Sequence, residues 1–236
     1  MNPIKKFFPI LLKDIKNNLK PKVDMHLHTN WTDGQDSASK MYQEACKKKI
    51  THIFFCEHSR KSSGKWFSKF AKEVRGLKQK NCIVFVGTEV KVLDFKGSLD
   101  LSNQIYRLSD FVMASVHRFP GEIGDMLMTK KIFTKKKAIN IEYKLMCAAI
   151  KNPKTDILGH PFGMSIKRFD AKPEKKLFIN IIKLCKKYNV AFEINSAYHK
   201  NLPWLLKECI KYNAMVSLGS NAHKASQIGS VIKKIY

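Results

Sequence analysis

Seven short apolar runs, each bounded by polar or turn residues, recur at 23–27, 52–56, 82–90, 110–116, 156–159, 190–194 and 214–218. Runs of this length between turn signals read as buried strands. Helix-like stretches at 39–48, 66–79, 136–150, 174–188 and 203–212 separate most of them. Strand and helix in alternation, without internal repeats, predict a parallel α/β architecture, and seven units favour a barrel over an open sheet. With 236 residues and 44% apolar content the chain can bury one barrel-sized core. A single domain over residues 22–236 is therefore expected, preceded by an extension at residues 1–21.

The C-terminal end of each run carries a residue able to bind a metal ion: His26 and His28, His58, Glu89, His117, His160, Glu193 and, after the last, His223. In a barrel of parallel strands those ends meet on one face, where active sites are built. A single histidine after a strand is most often a satisfied core residue, but six at equivalent positions form a pattern. Strand alternation puts His26 and His28 on one face, two residues apart, which suits two ligands on one ion. Asp33 follows in a turn closed by Gly34, within reach of a neighbouring ion, and Asp24 is placed to orient a ligand. His52 and His199 match no ligand position: His52 opens a strand and reads as a core residue, and His199, after Asn195, leaves open a reach to the substrate from the loop after the sixth strand. Phe54, Phe55, Phe85 and Phe111 lie inside strands as core, while Trp31, Trp66 and Tyr198 sit in or near loops on the active face and are better placed to stack on a base.

A net charge of +25 would draw polyanions. All but five of the 44 basic residues are lysines, however, in a chain also rich in Ile, Asn and Phe, so a solvated lysine surface accounts for the charge as readily as nucleic acid does. The six cysteines lie far apart with no C-x-x-C pair, and nothing resembles a secretory signal; they read as reduced thiols of a cytoplasmic protein. No apolar run approaches the roughly 18 residues of a membrane span. Within residues 1–21, the stretch from Phe7 to Leu12 leaves open a basic amphipathic segment that touches a membrane or a partner.

The segment Asp24-Met25-His26-Leu27-His28-Thr29-Asn30-Trp31-Thr32-Asp33-Gly34 resembles the opening motif of the PHP family, named for polymerase and histidinol phosphatase. Cys56-Glu57-His58-Ser59, Gly87-Thr88-Glu89-Val90, Ala114-Ser115-Val116-His117 and Ile157-Leu158-Gly159-His160-Pro161 resemble its next motifs in order. Phe192-Glu193-Ile194-Asn195 and Gly219-Ser220-Asn221-Ala222-His223 are similar to the closing pair, so the likeness runs from Val23 to Gly229. Gly97-Ser98-Leu99-Asp100-Leu101 and Asn152-Pro153 look most like the PHP domain attached to bacterial family X DNA polymerases, here in a free-standing form like the small phosphatases of the family.

The resemblance implies a distorted seven-stranded, TIM-like (β/α)7 barrel holding two or three divalent ions, with Zn²⁺, Mn²⁺ or Fe²⁺ suited to mixed nitrogen and oxygen donors. It implies one ion on His26, His28, Glu89 and Asn221, a second on Glu89, His117 and His160, and a third on Asp33, His58 and His223. Two positions depart from the family pattern: Asn221 stands where an aspartate is usual, and Glu57 replaces the usual aspartate before the histidine. Clustered ions would generate a hydroxide nucleophile and polarise a phosphoryl group. Arg60 and Arg118, each just beyond a ligand histidine, are placed to clamp its oxygens. Three functions follow: a phosphatase for a small monoester such as a histidinol phosphate or a nucleotide, a 3'-5' exonuclease, and a noncatalytic metal-binding module. Single-domain size favours the first, charge and polymerase-like motifs the second, and the near-complete ligand set counts against the third.

Overall fold

In a computed structural model that describes residues 3–120 and 134–236, seven parallel strands pair in sequence order. They are β1 (Val23–Leu27), β2 (His52–Ser59), β3 (Ile83–Lys91), β4 (Phe111–Ser115), β5 (Ile157–Leu158), β6 (Ala191–Asn195) and β7 (Val216–Gly219). The sheet closes on itself through a parallel bridge between Leu27 and Ala222. There the Ala222 carbonyl accepts from the His28 amide at 2.9 Å, and the Ala222 amide donates to the His26 carbonyl at 3.1 Å. The result is the expected seven-stranded α/β barrel, distorted by a two-residue β5 and by a break in register within β1 between Asp24 and Leu27.

Helices cover the outside: α1 (Pro3–Lys16), α2 (Ala38–Lys47), α3 (Gly64–Arg75), α4 (Asn103–Leu108), α5 (Lys135–Ile150), α6 (Gly163–Phe169), α7 (Lys175–Tyr188), α8 (Leu202–Lys211) and α9 (Ser230–Ile235). With helices outside and side chains filling the inside, both faces of the strands are buried, which explains why the strand signal is continuous rather than alternating. α2 and α5 start on the hydroxyls of Ser37 and Thr134, each accepting an amide of its own first turn. Phe54, Phe55 and Phe111 are fully buried, as expected, and Phe85 is half-buried among them. His52 packs between Phe7 and Phe85 at the start of β2. All six cysteines are free thiols. No helix among the described residues is long and apolar enough to cross a membrane.

The residues read as an extension are continuous with this core. Ile4, Phe8, Leu11, Leu12 and Ile15 of α1 are buried, and Phe7 meets Phe54 and Phe85 with ring centroids 5.5 and 5.9 Å apart. These rings lie at the N-terminal ends of β2 and β3, so α1 caps the barrel mouth opposite the histidines. Its apolar face, open to a membrane or partner in the sequence reading, is covered by the chain itself. Phe8→Ala should therefore destabilise the whole barrel by about 3–5 kcal/mol, read as a lower denaturant midpoint, although the site lies at the other end.

Candidate metal centre

The chain ends its strands on the donors, so the barrel brings them together without any long loop. β2 and β3 run in register with His58 opposite Glu89. Glu89 is buried at the floor, and five imidazoles surround its carboxylate. Oε1 faces Nε2 of His160 at 2.8 Å and Nε2 of His117 at 3.2 Å. Oε2 faces Nδ1 of His58 at 3.0 Å and Nε2 of both His26 and His28 at 3.5 Å. Asp33, half-exposed at the rim, lies 3.2 Å from His223 and 3.4 Å from His58 through Oδ2.

Three groups have donor atoms all within 4.8 Å of one another: His26, His28 and Glu89; His58, Glu89 and His117; and His28, Asp33, His58 and His223. The third contains the expected Asp33, His58 and His223 together with His28, and the first contains the expected His26, His28 and Glu89 without Asn221. The middle group joins His58 rather than His160 to Glu89 and His117, while His160 lies outside it and approaches the same Glu89 oxygen as His117.

Three observations test whether these residues suit metal ions. A neutral His26 donates Nδ1–H to Glu193 at 2.7 Å, which leaves Nε2 a bare lone pair. That lone pair lies 2.9 Å from Nε2 of His28 and 3.5 Å from Glu89. Donors about 2.0–2.2 Å from one tetrahedral ion stand roughly 3.3–3.6 Å apart, close to this spacing. Secondly, His223 donates Nδ1–H to the Asn221 carbonyl at 2.9 Å, so its Nε2 also presents a lone pair, here to a carboxylate oxygen. Two acceptors 3.2 Å apart repel unless a proton or cation lies between them. Thirdly, His28 Nδ1 is buried with no hydrogen-bond partner among the described residues. The residues fit a cation cluster.

Charge tells the same story. Burial opposes ionisation of Glu89, yet the imidazoles of His117, His26 and His58 hold its carboxyl well below the ordinary range. Burial disfavours a proton on His26 as well, but Glu193 and Glu89 overcome it and push the ring up to about 10. Glu89 and Asp33 do the same to His58, also up to about 10. A field that traps protons on buried imidazoles is one that divalent cations can satisfy instead.

Other carboxylates position the donors. Glu193 accepts from the His160 amide as well as from His26, and Asn195 Nδ2 donates to it at 3.0 Å. β7 must pass so close that a Cβ on Gly219 would land on the Glu193 carboxylate. Glu57 accepts from the Thr29 amide at 2.7 Å and from the Thr32 hydroxyl, fixing the turn that carries Asp33. Asp24 does not touch a histidine side chain, as the sequence reading had it; it accepts the amides of Ser220 at 2.9 Å and Gly229 at 2.7 Å, pinning the loop that carries Asn221 and His223. Asn221 adopts a left-handed φ of 55°, a conformation asparagine tolerates, and lies half-buried in that loop.

Arg60 and Arg118 line the cavity above His58, His117 and His160, as expected. Tyr198 lines it too, stacked on His160 with centroids 4.4 Å apart. Trp31 and Trp66 do not line it: they stack on each other and against Phe70, and the Trp31 indole donates to Glu73 at 2.8 Å. His199 spends both nitrogens on backbone, accepting from the Asn195 amide and donating to the Pro161 carbonyl, so it braces the loops after β5 and β6. Sequence reasoning missed Lys91, Lys167 and Arg168, which also line the cavity. Lys91 ends β3, a placement readable from the sequence, but the other two ride on α6, for which the pattern gave no signal.

A sequence model of the PHP domain matches residues 24–197. A probable phosphatase of Caldicellulosiruptor saccharolyticus is 28% identical over 220 residues, covering 88% of this chain and 82% of that protein. The DNA polymerase/3'-5' exonuclease PolX of Bacillus subtilis is 26% identical over 184 residues, 74% of this chain but 29% of that protein. A solved Listeria monocytogenes structure, provisionally named the histidinol phosphatase HisK, shares the fold at 17% identity, with a TM-score of 0.67 over 88% of this chain and 97% of that one. The chain belongs to the PHP family.

Glu193→Gln keeps the size of the side chain that fixes His26 but removes its charge, and should weaken Zn²⁺ binding by about 10–100-fold in calorimetry of chelator-stripped protein. Because protons held on His26 and His58 must leave before their nitrogens bind, the affinity of the parent protein should rise with pH, with proton release, and level off only as pH approaches about 10.

Proposed function

We propose that this PHP-family chain is a metal-dependent phosphomonoesterase acting on a small phosphate ester. The observation that carries the reading is the placement of arginine. Only five arginines stand among 44 basic residues, yet Arg60, Arg118 and Arg168 line one cavity floored by Glu89, His117 and His160. A solvated basic surface has no reason to concentrate its scarce guanidiniums there, whereas the planar fork of arginine matches the oxygens of a phosphoryl group. The cavity, about 470 Å³, is of a size for a small ligand. The probable phosphatase that aligns with most of this chain supports the same reading.

Divalent ions held by His26, His28, Asp33, His58, Glu89, His117, His160, Asn221 and His223 would supply Lewis acidity toward the phosphoryl oxygens and lower the pKa of water. The chain's own groups do the rest. Arg60 and Arg118 approach from the ends of β2 and β4 and Arg168 from α6, so the phosphoryl group is held from two sides and its charge offset. Burial, reinforced by Glu89, holds the Tyr198 phenol up, so it stays protonated against His160 and adds no negative charge beside the substrate. Glu89 and Glu193 keep the imidazole planes fixed, which preserves the attack geometry.

The likeness to the Bacillus subtilis polymerase/exonuclease favours a second reading, removal of nucleotides from a strand end. Phosphate release from a panel of monoesters, run beside digestion of end-labelled oligonucleotides, separates the two. The expected outcome is monoester turnover that His117→Ala or His160→Ala lowers by at least about 10³-fold with metal in excess, with the fold intact by circular dichroism. Oligonucleotide shortening without monoester turnover would replace the first reading by the second. Asn221→Asp, which restores a charged oxygen, should lower the metal concentration needed for half-maximal turnover.

A further inference from the structure

A second cavity, also about 470 Å³, adjoins the first and shares two of its residues, Lys167 and Tyr198. The Tyr198 ring is the partition, with one side of it packed on His160 and Lys167 Nζ 5.9 Å from its centroid. A molecule whose phosphate lies beside His160 therefore needs to cross only one aromatic ring to reach the second space.

The two spaces differ in chemistry. The floor of the second is apolar and aromatic: Phe178 and Leu205 are buried, and the half-buried Trp204 meets Phe178 edge-on with centroids 6.2 Å apart. Its rim is cationic, with Lys172, Lys175 and Lys200 exposed around it and Lys175 Nζ 5.3 Å from the Trp204 ring centroid. Asp170, the one acid among the described residues of the lining, is paired with Lys135 at 3.0 Å. An aromatic floor under a rim in which lysines outnumber acids among the described residues complements a flat ring that bears negative charge.

We propose that this second cavity receives the leaving group of the substrate, and that this group is an aromatic or heteroaromatic ring carrying an anionic substituent of its own. The inference rests on the phosphomonoesterase reading and adds the substrate class. Trp204 supplies the stacking surface, the rim lysines meet the second charge, and Tyr198 and Lys167 flank the bridge between ring and phosphoryl group.

Two measurements test it. In the first, phosphate release from 4-carboxybenzyl phosphate and from butyl phosphate is compared across parent, Trp204→Ala, Trp204→Phe and Lys175→Gln proteins. Comparing each variant with the parent on the same substrate cancels the intrinsic reactivity of the two esters. Trp204→Ala should raise KM for the aromatic anion by about tenfold while changing KM for butyl phosphate by less than about twofold, and Trp204→Phe should restore most of the loss. Lys175→Gln, at an exposed position, should raise KM for the aromatic anion alone, by about threefold. Equal losses on both esters, or no loss on either, would overturn the proposal.

The second measurement needs no turnover: calorimetry with 1-naphthoate, an aromatic anion without phosphate. Binding to the parent protein, weakened about tenfold by Trp204→Ala, supports the cavity as an aromatic-anion site. Absence of binding overturns it. Naphthoate binding at Trp204 in a protein that hydrolyses neither ester would overturn the leaving-group role through failure of the phosphomonoesterase reading. Hydrolysis of both esters with no discrimination at Trp204 would overturn the inference alone.

Discussion

One buried carboxylate organises this protein. Glu89 stands on the third strand with five imidazoles against its two oxygens, at 2.8 to 3.5 Å. A carboxylate removed from water costs several kcal/mol unless positive charge surrounds it. Imidazoles provide that charge only by holding protons, and five protonated rings in one pocket would repel one another. The conflict is visible in His28, which burial first and then its charged neighbour His26 push well below its ordinary range while His26 and His58 are pushed up. Divalent cations remove the conflict, since every ring can then be neutral and every lone pair occupied. The barrel is the scaffold on which such an arrangement is possible, because parallel strands deliver their C-terminal ends to one face.

How much of this could be read from the sequence follows from how local each signal is. Strand length, the run of buried apolar residues and the donor at each strand end are local, so seven strands and eight charged or imidazole candidate ligands stand in the sequence in order. α1 is not local in this sense: it contains Pro9 and a row of lysines, and its helix is stabilised by packing Phe7 and Phe8 on rings that come 46 or more residues later. α6 is hidden for a related reason. It begins after Phe162 in a left-handed conformation, φ 63°, and its first amides are accepted by Glu142, about 20 residues earlier on α5. No capping residue stands in its own sequence to announce it. The two cavity residues missed on that side, Lys167 and Arg168, were lost with the helix that carries them.

The roles of Asp24 and Glu193 show the same limit at the level of single residues. Both are strand carboxylates next to or opposite ligands, and the sequence cannot say whether such a group turns to a histidine ring or to a backbone amide. Asp24 turns to two amides and holds the loop of Asn221 and His223, while Glu193 turns to His26 and fixes its tautomer. The choice is made by β7, whose Gly219 leaves room for the Glu193 carboxylate beside His26. A strand with any side chain at that place would force the carboxylate elsewhere.

The basic character of the chain has two separate sources. Several lysines lie over surface tyrosines, as Lys154 does over Tyr106 and Lys183 over Tyr212, at 5.1 and 4.8 Å from the ring centroids. These cover apolar rings with their stems and keep their charge in water. The acidic residues, by contrast, are partly withdrawn from the surface: Asp24, Glu57, Glu89, Glu142, Glu193 and Glu208 are all buried. These six of the 19 acids therefore face inward, and Asp24, Glu57, Glu89, Glu142 and Glu193 bind amides, hydroxyls or imidazoles there. The exterior is left more positive than the composition alone conveys. Its field favours the approach of any anion, but a long-range field cannot choose among anions. On the proposed reading, selection falls to the scarce, fixed groups: the three arginines that line the cavity over Glu89 and the rings of Tyr198 and Trp204 beside it.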